Sequence, residues 1–176
     1  MEIVDFLTNL SASTLRLATP LIFAAMAGLL SYQVRLINIA LEGLMLIGAF
    51  TAVVVGFQAG SAWVGVLAAA IVCTLFGALF ALFVTDLRAN LIVAGLAMNF
   101  LALGATGYIL QIYFNTSGTY APVGFERLPS LNIAGISDLP VVGRVLFRHS
   151  PLVYVSWLAI PLTAVFLYRT TLGVYI

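Results

Sequence analysis

The chain has 176 residues, of which 63% are hydrophobic and only 7% charged; seven arginines, no lysine and six acidic side chains leave a net charge of +1. This balance, with a mean hydropathy of +1.17, excludes an ordinary water-soluble domain, and the few scattered cations offer no footprint for a nucleic acid. Cys73, the single cysteine, rules out a disulfide framework or a cysteine-based metal site within one chain; it reads as a small buried hydrophobe.

Met1-Glu2 through Asp5 lack the basic region that opens a secretory signal. Ile3, Phe6, Leu7 and Leu10 recur at helical spacing opposite Glu2, Asp5 and Asn9, which predicts a short amphipathic helix lying at the membrane interface. Five apolar windows then reach or approach the roughly 20 residues that a spanning helix needs: 17–30, 37–57, 62–85, 91–114 and 152–168. The first holds Pro20, which neighbouring helices tolerate inside a membrane, and the last holds Pro161, a predicted kink. Small residues such as Ala24 and Gly28, or Gly77 and Ala81, allow close helix approach, because association in lipid rests on packing. Between the fourth and fifth windows, residues 115–150 hold Pro122, Pro129, Pro140 and most of the polar side chains. A connection of that length binds or gates something when it is ordered. The expected fold class is all-α: a polytopic transmembrane helix bundle of about five membrane helices plus the N-terminal amphipathic helix, in a single domain over 1–176.

Within the second window, Asn38 and Glu42 stand four residues apart, so on a continuous helix they share a face with Met45 and Ala49. A charge near the bilayer centre costs about 2.5–3.5 kcal/mol and normally faces a bundle interior or a water-filled path. Glu42 therefore either bonds a neighbouring helix or snorkels to the interface, or it lines or gates a solute path. Asn99, in the fourth window, must likewise find partners for its carboxamide, through interhelical bonding or in the same path. Gln111 reads as interfacial. His149, the only histidine, reads as a solvated loop side chain just before Pro151, and the Asn115-Thr116-Ser117 triplet matters only in a glycosylating compartment. There is no P-loop, Gly-x-Ser-x-Gly elbow or His-Glu-x-x-His motif. No enzyme activity, cofactor or metal is expected.

Three ordered segments resemble the permease subunits of ABC importers of the branched-chain amino acid, ribose and nucleoside type, closest to the nucleoside or simple-sugar branch. TLRLATPLIFAAMAGLLS followed by INIALEGLMLIGAF is similar to a Pro-containing first helix leading into an Asn-Ile-Gly-Leu-Glu-Gly run. NLIVAGLAMNFLALGATGYIL resembles the Ile-Val-x-Gly-x-Ala-x-Asn helix, with Asn99 on the family's asparagine, and LPVVGRVLF with LVYVSWLAIPLTAVFLYRTTLG resembles the loop and helix leading to the cytoplasmic coupling segment. Two departures concern local turn geometry: Tyr32-Gln33-Val34-Arg35 stands where a Glu-Arg-Ser-Gly-like turn is common, and Ala40 replaces the usual Gly. Relatives continue past the Tyr-Arg-Thr-x-x-Gly run, whereas here only three residues follow Gly173; the resemblance implies about the N-terminal half of a longer permease, without the ATPase contact.

The resemblance implies a translocation path for a nucleoside or simple sugar, with Asn38, Glu42 and Asn99 as candidate polar lining or gate. It implies ATP-binding cassette ATPase subunits, a second permease subunit and an extracytoplasmic solute-binding protein as partners, within the lipid bilayer of a prokaryotic plasma (inner) membrane. It places Arg169 in the cytoplasm and 115–150 as an outer loop. The short loops bearing Arg35 and Arg88 are also expected on the cytoplasmic side. The alternatives are a branched-chain amino acid permease, the membrane-embedded small-molecule binding subunit of an energy-coupling transporter, and a scaffold without a solute path.

Overall fold

Backbone polar groups within a bilayer must be satisfied inside their own segment, and this chain meets that demand with helices. A computed structural model describes residues 2–116, 118–122, 124, 128–132 and 145–170. It contains α1 (Glu2–Gln33), α2 (Leu41–Gln58), α3 (Ala62–Ala81) continued by one π-helical turn (Leu82–Asp86), α4 (Leu91–Phe114) and α5 (Pro151–Arg169). All five are long and apolar enough to cross a membrane, α3 with its π turn counted as one 25-residue segment. A two-residue antiparallel pair joins β1 (Leu131–Asn132) to β2 (Arg148–His149), in the register Leu131 to His149. Part of the connection read from the sequence at 115–150, including Arg127, Arg144, Pro140 and Ser117, lies outside the described residues.

The predicted interfacial helix and the first predicted span are one continuous helix. The Thr8, Thr14 and Thr19 hydroxyls donate to the carbonyls of Val4, Leu10 and Leu15, so the polar residues between the two apolar runs stay within the helix rather than breaking it. Pro20 and Pro161 also lie inside α1 and α5 without ending either.

Two compact units are present. In the unit Arg35–Arg127, α2 packs against both α3 and α4. The α2–α3 hairpin turns at Gly60, whose φ of 63° is left-handed, and the Ser61 N–H donates to the Gly56 carbonyl at 3.0 Å. The core gathers Ala40, Phe76, Phe80, Ala94, Met98 and Ala102. Asn90 starts α4, its Oδ1 accepting the N–H groups of Ile92 (3.0 Å) and Val93 (3.3 Å). That is the side-chain cap expected of asparagine at this position. Asn115 closes α4 in the left-handed conformation.

In the other unit, formed by residues 1–34 and 128–176, α1 packs against α5. Ser150 and Pro151 form the start of α5, where a missing N–H costs nothing. His149 is not the solvated side chain read from the sequence: it is only 1% exposed. Its Nε2 lies 2.7 Å from the Val145 carbonyl, and since a carbonyl only accepts, Nε2 carries the proton. The ring meets Trp157 edge-on at 6.4 Å. Burial protects the imidazole, so His149 should resist diethyl pyrocarbonate in the folded protein and react on denaturation. Mass spectrometry of this single-histidine chain reads the difference; equal labelling in both states would contradict the burial.

Candidate functional site

The first helical turn of α2 leaves N–H groups without intrahelical acceptors, and Ala40 at its N-cap position offers no side-chain acceptor. The acceptor comes from another helix. Asn99 of α4 receives the Gly43 N–H on Oδ1 at 2.8 Å and donates through Nδ2 to the Ile39 carbonyl at 3.0 Å. Gly43 is the third residue of α2, the position that a local N-cap side chain normally serves. Asn99 therefore caps α2 in trans, and both ends of its carboxamide are engaged.

Two glycines allow this approach. A Cβ on Gly43 would stand 2.8 Å from Asn99 Oδ1 and 3.0 Å from Asn99 Cα, and one on Gly95 would stand 2.7 Å from Ile39 Cβ. The non-helical residues before α2 thus lie against the first turns of α4. Asn99 is eight residues after Leu91, so the first turn of α2 is held about 12 Å along α4 from its first residue, at a rise of about 1.5 Å per residue.

This corrects one expectation of geometry. Asn38 does not share a helical face with Glu42, because it precedes α2 and its Oδ1 accepts the Ala40 N–H at 3.1 Å, closing a local turn. Glu42 lies in the first turn of α2 and is exposed, at the favourable N-terminal end of the helix dipole. Asn38, Glu42 and Asn99 thus belong to one small neighbourhood, in which Asn38 shapes the turn, Asn99 holds the helix start, and Glu42 presents the carboxylate.

A cavity of about 490 Å3 lies between Leu46–Val54 of α2 and Leu103–Leu110 of α4, bounded at its far end by Gly118, Thr119 and Tyr120. Its size is within the range of small-molecule sites. Tyr120 packs on Phe114 with ring centroids 4.2 Å apart and meets Phe57 edge-on at 6.5 Å. Thr106, 4% exposed, donates to the carbonyls of Ala102 and Leu103. No charged side chain lines the cavity, and no group of three or more metal-ligating side chains occurs among the described residues. Sequence reasoning missed the cavity wall: Thr106, Gly107 and Tyr120 read as ordinary helix and loop residues until α2 and α4 are brought together.

If Asn99 caps α2, then Asn99→Leu leaves the Gly43 N–H and the Ile39 carbonyl without partners and should cost about 1–3 kcal/mol. Gly43→Ala should be similarly damaging, and the double variant should cost less than the sum because both remove the same clamp. Thermal denaturation of the detergent-solubilised protein measures this; full additivity would separate the two residues.

The comparisons with known proteins agree with this architecture. The family model for the permease component of branched-chain amino acid transport systems matches residues 10–176. The chain is 36% identical to a guanosine ABC transporter permease protein of Bacillus subtilis, over 100% of its own length and 57% of the relative's. It is 31% identical to a nucleoside ABC transporter permease protein of Lactococcus lactis, over 86% of this chain and 49% of that one. A Haloferax volcanii protein, provisionally named a glucose ABC transporter permease, is 31% identical over 98% of this chain and 52% of its own. No solved structure matches significantly. The chain spans about half the length of the curated relatives it matches, and with its five membrane helices it belongs to the permease-component family of branched-chain amino acid transport systems.

Proposed function

We propose that this chain forms part of the permease subunit of an ATP-binding cassette importer and contributes to the path for a nucleoside or simple sugar. The observation that carries the reading is the match of the entire chain to a permease named for guanosine, supported by the nucleoside and glucose relatives. In this reading the subunit works with a pair of ATPase subunits, a second permease subunit and an extracytoplasmic solute-binding protein, in a prokaryotic inner membrane. The connection at 115–150 faces the binding protein.

The permease carries out no bond chemistry. Glu42, Asn38 and Asn99 act together at the gate: Asn38 and Asn99 fix the backbone at the start of α2, and Glu42 offers its carboxylate to the solute or to the opposing gate surface. An exposed carboxylate beside the third turn of a neighbouring membrane helix calls for water or protein against it, since lipid there is costly. The family description favours a second reading, a branched-chain amino acid as cargo.

Uptake by the full-length permease, co-expressed with its ATPase and binding protein, tests the gate. Glu42→Ala should lower uptake by about tenfold or more at unchanged membrane abundance, the size expected for losing a charged hydrogen-bonding group. Unchanged uptake would remove Glu42 from the path, and leucine uptake in place of nucleoside or sugar would favour the second reading.

A further inference from the structure

We propose that the cavity between α2 and α4 receives the flat heteroaromatic ring of a neutral solute, so that a nucleoside rather than a sugar is the cargo. The inference rests on the permease reading above and narrows its substrate class. Three observations carry it. The wall is almost wholly apolar: Leu46, Phe50, Val53 and Leu110 are typical, and the only side-chain polar groups are the hydroxyls of Thr106, Thr119 and Tyr120. A sugar carries a hydroxyl on nearly every carbon, and each would be left without a partner against such a wall, at the cost of an unmade hydrogen bond. A nucleobase offers two apolar faces that suit such a wall, with its polar atoms confined to the ring edge, where the three hydroxyls can meet some of them.

The second observation is aromatic. Tyr120, held by Phe114 and Phe57, bounds one end of the cavity, and Phe50 lines its side. Rings arranged in this way favour stacked or edge-to-face contact with another aromatic ring. The third is the state of Thr106. Thr106 lines the cavity and its proton is engaged by the Ala102 and Leu103 carbonyls, so toward a ligand its hydroxyl can serve only as an acceptor. An N–H on a base edge suits it, and no charged group is present to recognise a carboxylate or an ammonium group.

Gly107 lines the cavity, and a Cβ built on it meets nothing within 4 Å. The same is true of Gly104 on the same helix, which does not line the cavity. Gly107→Leu therefore fills the cavity without a backbone clash, and Gly104→Leu is its matched control. The full-length permease is reconstituted with its ATPase and binding protein in liposomes, and ATP-dependent uptake of guanosine, ribose and glucose is measured. The expected result is guanosine uptake in the wild type, with neither sugar carried, lost about tenfold or more in Gly107→Leu as stacking and apolar contacts are displaced and retained in Gly104→Leu. Thr106→Val is the second variant, in case Gly107→Leu lowers the amount of folded protein. It should raise the guanosine KM about fivefold by losing one hydrogen bond.

Ribose or glucose uptake equal to that of guanosine overturns the proposal and leaves the permease reading standing. Equal loss in Gly104→Leu and Gly107→Leu also overturns it, as does unchanged uptake in Gly107→Leu with a phospholipid co-purifying in wild type but not in the variant, since the cavity would then hold lipid. Absence of ATP-dependent uptake of any solute, leucine included, by an assembled wild-type complex overturns the permease reading and this inference together.

Discussion

The start of α2 depends on a single carboxamide from another helix. Helix ends inside a membrane have no water to satisfy their free N–H groups, and Ala40 supplies no acceptor of its own. Asn99 does so across a sequence separation of 56 residues to Gly43, and its other end takes the Ile39 carbonyl. The position of Glu42 at the first turn of α2 and the packing of Ala40 with Met98 and Ala102 in one core go with where that bond holds the helix.

The clamp and the cavity occupy one seam and divide its labour. At one end, Gly43 and Gly95 let the backbones meet so closely that a methyl group would not fit. Further along, Gly107 faces open space. Glycine thus serves two opposite purposes within one helix pair, Gly95 and Gly107 standing about three turns apart on α4, and only the three-dimensional arrangement tells them apart. The seam joins a carboxylate and an amide bonded through both its oxygen and its nitrogen at one end to an aromatic cluster at the other, a gradient from polar to apolar along a single helix interface.

Much of the fold was legible as long apolar runs. The fourth window coincides with α4, Leu91–Phe114, because a capping Asn90 and a left-handed Asn115 bracket it sharply. The start of α2 was less legible: Asn38 and Glu42 have the spacing of one helical turn, yet Arg35 takes a left-handed φ of 60° and Asn38 folds back on Ala40, so the helix begins at Leu41. A cap supplied from a distant helix leaves no local pattern, since Asn99 looks the same whether it binds a solute or a backbone. His149 was misread for a related reason: its burial depends on Val145 and Trp157, and no rule of composition for loops anticipates that enclosure.

The length of α1 has a consequence for how the protein meets its membrane. Thirty-two residues make a rod of about 48 Å, against a hydrocarbon core of about 30 Å. Even a tilt of about 40° uses only about 39 Å of it, which leaves some six residues to lie among the lipid headgroups. At one end these include Ile3 and Phe6, 74% and 64% exposed, side chains that gain by entering the acyl region. A thicker bilayer would draw that end inward and a thinner one would release it, so α1 acts as a float whose height follows the thickness of the membrane around it.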